Sequence, residues 1–258
     1  MANVLTFRRL LITAALLLLV MPVSVHAQQL DVPKSIQLPD LSNPQNTRST
    51  IQLVALLTIL SLAPAILLMV TSFTRIIIVL TLLRQALGAQ QLPPNQVLAG
   101  LAIFMTFLVM TPTWQRVNNE ALQPYLHGQL DPQTALAKGL GPVRDFMSKQ
   151  IERAGNDGDV DVFTDAANLP RAQSWDQVPT TALVPAFMLS ELKTAFMMGF
   201  KIYLPFLIID LVISMLLVSM GMMMMPPTLV SLPFKLLLFV MVDGWRLITS
   251  GLLGSFVS

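Results

Sequence analysis

From Ile51 to Thr74 the chain runs for 24 residues without a charged side chain. At the helical rise of about 1.5 Å per residue this is about 36 Å, enough to cross a hydrocarbon core of about 30 Å. Pro64 lies inside the run and predicts a kink. Arg75 and Arg84 follow, and Gly88 with Pro93-Pro94 then breaks the helix. A second uncharged stretch of 17 residues opens at Val97 and ends at Thr113. Thr181 to Ser258 is apolar again, and Pro226-Pro227 divides it in two. The pattern predicts an all-α integral membrane protein built from four hydrophobic segments in two kinked helical hairpins. Residues 51–113 form the first hairpin and residues 181–258 the second.

The polar residues are collected elsewhere. Only 12% of the 258 residues are charged, against about 25% in an ordinary soluble domain. Residues 114–180 hold six basic and nine acidic side chains, half of the chain's total of 16 basic and 14 acidic. This segment reads as a small water-facing insertion between the hairpins. A helix is predicted over Thr134 to Arg153, and the aspartate-rich stretch Gly155 to Asp165 reads as a solvated loop. The shortage of charge excludes a disordered chain and a typical nucleic-acid binder.

Met1 to Ala27 has the form of a cleaved secretory signal peptide. Arg8 and Arg9 precede the apolar run Leu10 to Val20, and small residues follow at Val25 and Ala27. Cleavage removes both arginines and leaves 14 basic and 14 acidic residues, so the formal +2 belongs to the signal. Residues 28–50, polar and marked by Pro33, Pro39 and Pro44, read as an extended external lead-in. With the signal peptide fixing the start outside, positive-inside counting puts Arg75, Arg84 and the turn at 88–95 in the cytoplasm. The insertion, net −3, is then periplasmic.

No catalytic constellation is present in the sequence. It has no cysteine, and its two histidines, His26 and His127, offer no paired ligands for a metal. Asp157, Asp159, Asp161 and Asp165 lack the glycine and glutamate positions of a calcium loop. An enzyme, a cofactor and a bound metal are therefore not expected.

The charges inside the apolar segments carry the information. Each costs roughly 2.5–3.5 kcal/mol at the centre of an inserted helix, so Glu191, Asp210 and Lys235 are expected to pair between helices or subunits. Asp243 and Arg246 stand three apart and can meet on one helix face. A proton channel or secondary transporter using Asp210 is the alternative, and it would need further carboxylates in line. Met222-Met223-Met224-Met225 cannot all face one helical stripe. Flanked by Gly221 and Pro226-Pro227, they read as an apolar, conformable loop suited to sealing a passage around a moving chain. Ser250, Gly251, Gly254 and Ser255 permit close helix packing in the last segment.

Several motifs occur in order: Thr71-Ser72-Phe73-Thr74-Arg75, Leu83-Arg84-Gln85-Ala86-Leu87-Gly88, Pro93-Pro94-Asn95-Gln96, Ser190-Glu191-Leu192-Lys193, Leu204-Pro205-Phe206 with Asp210, Met220-Gly221-Met222-Met223-Met224, and Leu232-Pro233-Phe234-Lys235. Together they resemble the FliP/SctR family of type III secretion export gates, and the signal peptide is similar to the flagellar branch. The resemblance implies a subunit present in several copies, a pentamer, packed in a helical ring with FliQ and FliR. It implies work with FlhA and FlhB on unfolded flagellar export substrates in the bacterial inner membrane, at the flagellar basal body. It further implies that Met222 to Met225 form a gasket in the closed pore, and that the hairpins are lifted partly out of the bilayer plane.

Overall fold

The computed structural model describes residues 44–89, 92–222 and 224–257. The expected signal peptide, most of the lead-in and Met223 fall outside the described residues. The chain divides into two compact units, residues 1–57 and 58–258, and the core and sites below belong to the second. All regular structure among the described residues is helical.

Helix α1 spans Pro44–Met69 and runs through Pro64. It starts inside the stretch expected to be extended, at a proline, whose fixed backbone angle suits the first helical turn. The apolar run does not continue into the next helix unbroken. Val70 to Ser72 leave the helix, and α2 begins afresh at Phe73–Leu87. Arg75 therefore sits in the first turn of a new helix instead of following a span. Gly88, at φ 75°, ends α2 in the left-handed conformation, which a residue without Cβ adopts freely.

Helix α3, Asn95–Val117, passes through a π-helical turn at Asn118–Leu122 into α4, Gln123–Leu126. The stretch Asn95–Leu126 is long and apolar enough to cross a membrane. In the insertion, Asp131 caps α5, Pro132–Arg153, by accepting from the backbone N–H groups of Gln133 and Thr134.

The aspartate-rich segment is not a loop. Gly158–Ala166 forms a helix, α6, with Val160 and Thr164 buried on one side. The expectation failed because charge density was read as solvation. Asp159 and Asp161 lie in the first turn, where the positive end of the helix favours them, and Asp159 is buried against Lys193 in an ion pair.

Helix α7 spans Thr180–Ser219, 40 residues, about 60 Å at the helical rise. It runs through Pro185 and Pro205 and is the spine of the unit. Near its start Leu183, Ala186 and Phe187 pack with Met147 and Ile151 of α5 and Val160 of α6. The insertion is thus joined to the membrane-like helices by a shared core. Further along, Ala195 and Ile202 meet Ile76, Val79 and Leu80 of α2, Leu98 and Ala102 of α3, and Leu252. Gly199 allows Leu82 to approach so closely that a Cβ there would lie 2.2 Å from Leu82 Cδ1.

Helix α8, Pro227–Met241, returns beside α7. The last segment is not a straight span: α8 and α9, Gly244–Val257, are bent by 65°. The bend falls on Asp243, at φ 52°, and not on Pro233, which α8 accommodates. Gly244 lies against the Phe239 ring, 2.2 Å from where a Cβ would stand.

Candidate functional site

Three places along α7 hold the residues singled out from the sequence. Nearest its start is a buried charge cluster. Glu191 is fully buried and Arg75 is 2% exposed. Arg75 Nε donates to Glu191 Oε2 at 2.8 Å and Nη2 to Oε1 at 2.5 Å, a two-pronged pairing that suits the planar guanidinium. The remaining donors are also used. Nη2 reaches Gln150 Oε1 on α5 at 3.2 Å, and Nη1 reaches both the carbonyl and the hydroxyl of Ser255 at 3.1 Å. The Phe256 ring lies 4.1 Å from the guanidinium carbon, and its carbonyl accepts from Arg153 Nη1 at 2.5 Å.

Glu191 is thus not Lys235's partner; its cation is Arg75. The positive-inside count also fails here. Arg75 touches Gln150 of the insertion, so the two cannot lie on opposite sides of a membrane. The rule assumes a charge that needs water or headgroups, and this one is satisfied inside the protein. A signal for it existed: Arg75 is the single charge between Ile51 and Leu83, and a charge so isolated among apolar residues calls for a partner inside the protein.

The second place lies further along α7. Asp210 Oδ2 accepts from Lys235 Nζ at 2.6 Å, and Oδ1 from Ser231 Oγ at 2.6 Å. Lys235 also donates to the Ala86 carbonyl at 3.1 Å, one of the last in α2, where a cation complements the negative helix end. Three helices, α2, α7 and α8, meet on one ammonium group. Both ion pairs lie within the chain. Phe206, Phe239 and Leu83 pack in the same layer.

The third place is the turn between α7 and α8, about 15 Å beyond Asp210 along the helix. Gly221, at φ 75°, donates to Val218 O, and Met222 N–H donates to Leu217 O at 2.9 Å. This paired cap ends the helix through a left-handed residue. Met225 N–H returns to Met222 O at 3.3 Å, and Pro226-Pro227 starts α8. Met222 and Met225 are about two-fifths exposed and Met224 is wholly exposed. Met222, Met224 and Met225 therefore present bare apolar tips on a closed turn.

Asp243 and Arg246 are both exposed, and no ion pair joins them. They were expected on one helix face. Asp243 instead forms the left-handed corner before α9, so the three-residue spacing does not apply.

Comparison with known proteins places this arrangement. A family model described as the FliP family matches residues 56–252, most of the chain. A Bacillus subtilis protein named flagellar biosynthetic protein FliP is 50% identical over 215 residues, covering 83% of this chain and 96% of that one. Its namesake from Pectobacterium carotovorum is 49% identical over 241 residues, 93% of this chain and 91% of the relative. The chain belongs to the FliP family. The namesake from Aquifex aeolicus is 45% identical over 213 residues, 82% of this chain and 87% of the relative. The FliP family is a membrane-protein family and not an enzyme family. The ion pairs Arg75–Glu191 and Lys235–Asp210 fall inside the matched residues, as does the methionine turn, while Ser255 and Phe256 lie just beyond them.

Proposed function

We propose that this chain is a pore-forming subunit of the flagellar type III protein export gate. Several identical copies, five by the family pattern, stand in a helical ring with FliQ and FliR in the bacterial inner membrane. The ring passes unfolded flagellar subunits supplied through FlhA and FlhB. The mature N-terminus and residues 114–180 lie on the periplasmic side.

The observation that carries this reading is the methionine turn: bare thioether tips on a capped turn, at the end of a helix held by Asp210 and Lys235. A seal around a moving polypeptide must be apolar, conformable and sequence-blind, and methionine side chains suit all three needs. The firm base supplies the rest, since a gasket needs an anchored rim. The 40-residue α7 favours an assembly over a lone bundle in lipid. Its length is about twice a hydrocarbon core, and its far half exposes Phe200, Ile208, Leu211 and Met215, a surface that calls for partners.

A proton path through Asp210 has less support. Both of its oxygens are engaged by donors, which suits a brace. Replacing Met222, Met224 and Met225 together by alanine should leave the assembly intact and make cells permeable to small solutes. Unchanged permeability with normal assembly would refute the gasket.

A further inference from the structure

Beside the Arg75 cluster, with which it shares Gln150, Arg153 and Phe256, α3, α5 and the end of α9 enclose a groove of about 370 Å³. Its floor is apolar, with Leu108 and Pro112 from α3, Phe146 from α5 and Phe256 from α9. Its rim is charged, with Arg116, Lys149 and Arg153 against one carboxylate, Asp145.

The three cations are not equally occupied. Arg116 donates to Glu120 at 3.0 Å and to Asp145 at 2.9 Å through Nε and Nη1, which leaves Nη2 as its unspent donor among the described residues. Arg153 spends Nη1 on the Phe256 carbonyl. Lys149 is exposed, and among the described residues nothing holds its ammonium. Three cations and one anion line the groove, and with Glu120, which holds Arg116 from beside it, the local balance is +1, although residues 114–180 as a whole are net −3. A basic spot on an acidic module points to an anionic ligand.

The apolar side points to what the anion is attached to. Phe104, Phe107 and Leu108 are exposed on one side of α3, at helical spacing. They form a track leading from the groove along a helix long enough to cross a membrane. Leu108 and Arg116 are two turns apart, about 12 Å. Arg116 lies in the last turn of α3, the level at which an apolar span gives way to headgroups.

We infer that this groove binds one anionic phospholipid. Its phosphate sits at Lys149 with Arg153 and Arg116, and its acyl chain runs along Leu108 and Phe104. Cationic pockets beside membrane helices select anionic headgroups in this way. A neighbouring protein could also fill an apolar groove, but it would have to bring a carboxylate to the rim and a long apolar side chain to the track together. A phospholipid carries both in one molecule.

The test uses the full chain in detergent, stripped of lipid and titrated with phosphatidylglycerol or phosphatidylcholine of equal acyl length, with bound lipid counted by native mass measurement. Phosphatidylglycerol should bind more tightly. Lys149→Glu replaces one attraction by one repulsion, so phosphatidylglycerol binding should fall by roughly 30-fold, with phosphatidylcholine binding unchanged. Lys138→Glu, on the same helix but outside the groove, should leave both as they were, and an unaltered melting curve certifies that each variant folds. Phe107→Ser should weaken both lipids. Equal binding of the two lipids overturns the inference, and so does an unaffected Lys149→Glu. Protection of the groove by inorganic phosphate as complete as by phosphatidylglycerol removes the acyl track from the site and overturns it too. Loss of oligomers in Lys149→Glu with lipid binding intact assigns the groove to a second copy instead.

Discussion

The Arg75–Glu191 pair makes a sharp prediction because both partners are out of water. Removing one partner of a buried pair costs about 3–5 kcal/mol, since the survivor is left as an uncompensated charge. Glu191→Leu strands a guanidinium whose other donors still reach Gln150 and Ser255; Arg75→Leu strands a carboxylate that has no other hydrogen bond among the described residues. For a domain of this size each kcal/mol moves the melting temperature by about 2–4 °C, so either single variant should melt about 6–20 °C lower. The double variant Arg75→Leu with Glu191→Leu removes both charges and fills the space with apolar atoms. It leaves only Gln150 and Ser255 without their donor, at about 1–3 kcal/mol for each unsatisfied group. Its loss should therefore be smaller than the sum of the singles, with a coupling of about 2–3 kcal/mol. Arg75→Lys should rescue little, because a point charge cannot span both carboxylate oxygens and Ser255. The assay is thermal melting of the purified full chain in detergent, followed by circular dichroism. Additive losses, or singles as stable as the parent, would refute the account of this cluster as a mutually dependent buried pair.

Other outcomes follow from named contacts. Lys235→Glu should destabilise by about 3 kcal/mol, and Asp210→Lys should restore part of the loss while Glu191→Lys restores none. Rescue stays partial because Ala86 O then faces a carboxylate, and a native gel of the co-expressed assembly reads the order. Gly244→Ala drives a methyl group into the Phe239 ring, which is held between Phe206 and Trp245; a loss of about 1–3 kcal/mol should appear in the same melting curves. Hydrogen bonds from Thr134 and Gln133 hold the Asp131 carboxyl below the usual aspartate range. A lowered folded value gives stability that is present above the ordinary value of about 3.9 and lost as pH falls through the folded one. Amide exchange over the first turn of α5 should accelerate in that acid window, and Asp131→Asn should flatten the pH dependence.

The element types were largely legible because helix breakers and charge spacing act locally. Gly88 and Gly221 end helices, and Pro93-Pro94 and Pro226-Pro227 open the next ones, through their own backbone chemistry. Asp210 and Lys235 stood out because each is dear to bury alone. Three-dimensional partners were less legible. Nothing local tells Glu191 that its cation lies 116 residues earlier. Asp159, one of four closely spaced aspartates, was hidden because density of charge resembles solvation until Lys193 is seen beside it. The corner at Asp243 was missed for another reason. Asp243-Gly244 is a turn dipeptide whose signal the i,i+3 charge spacing obscured, whereas the break at Val70 to Ser72 lacks a proline or glycine.

The side chains around Arg75 also set an order in time. Its nearest acceptors arise from positions made early, midway and last: Gln150, then Glu191, then Ser255, 180 residues after the arginine itself. While the chain is emerging, a guanidinium waits at the head of α2 with its partners unmade. Gln150 and Glu191 can engage it first, and residues 255 and 256 then supply the acceptors of Nη1 and the ring against the guanidinium. A product cut short before Ser255 keeps a buried guanidinium with one nitrogen lacking its acceptors, so the head of α2 senses whether α9 has been made.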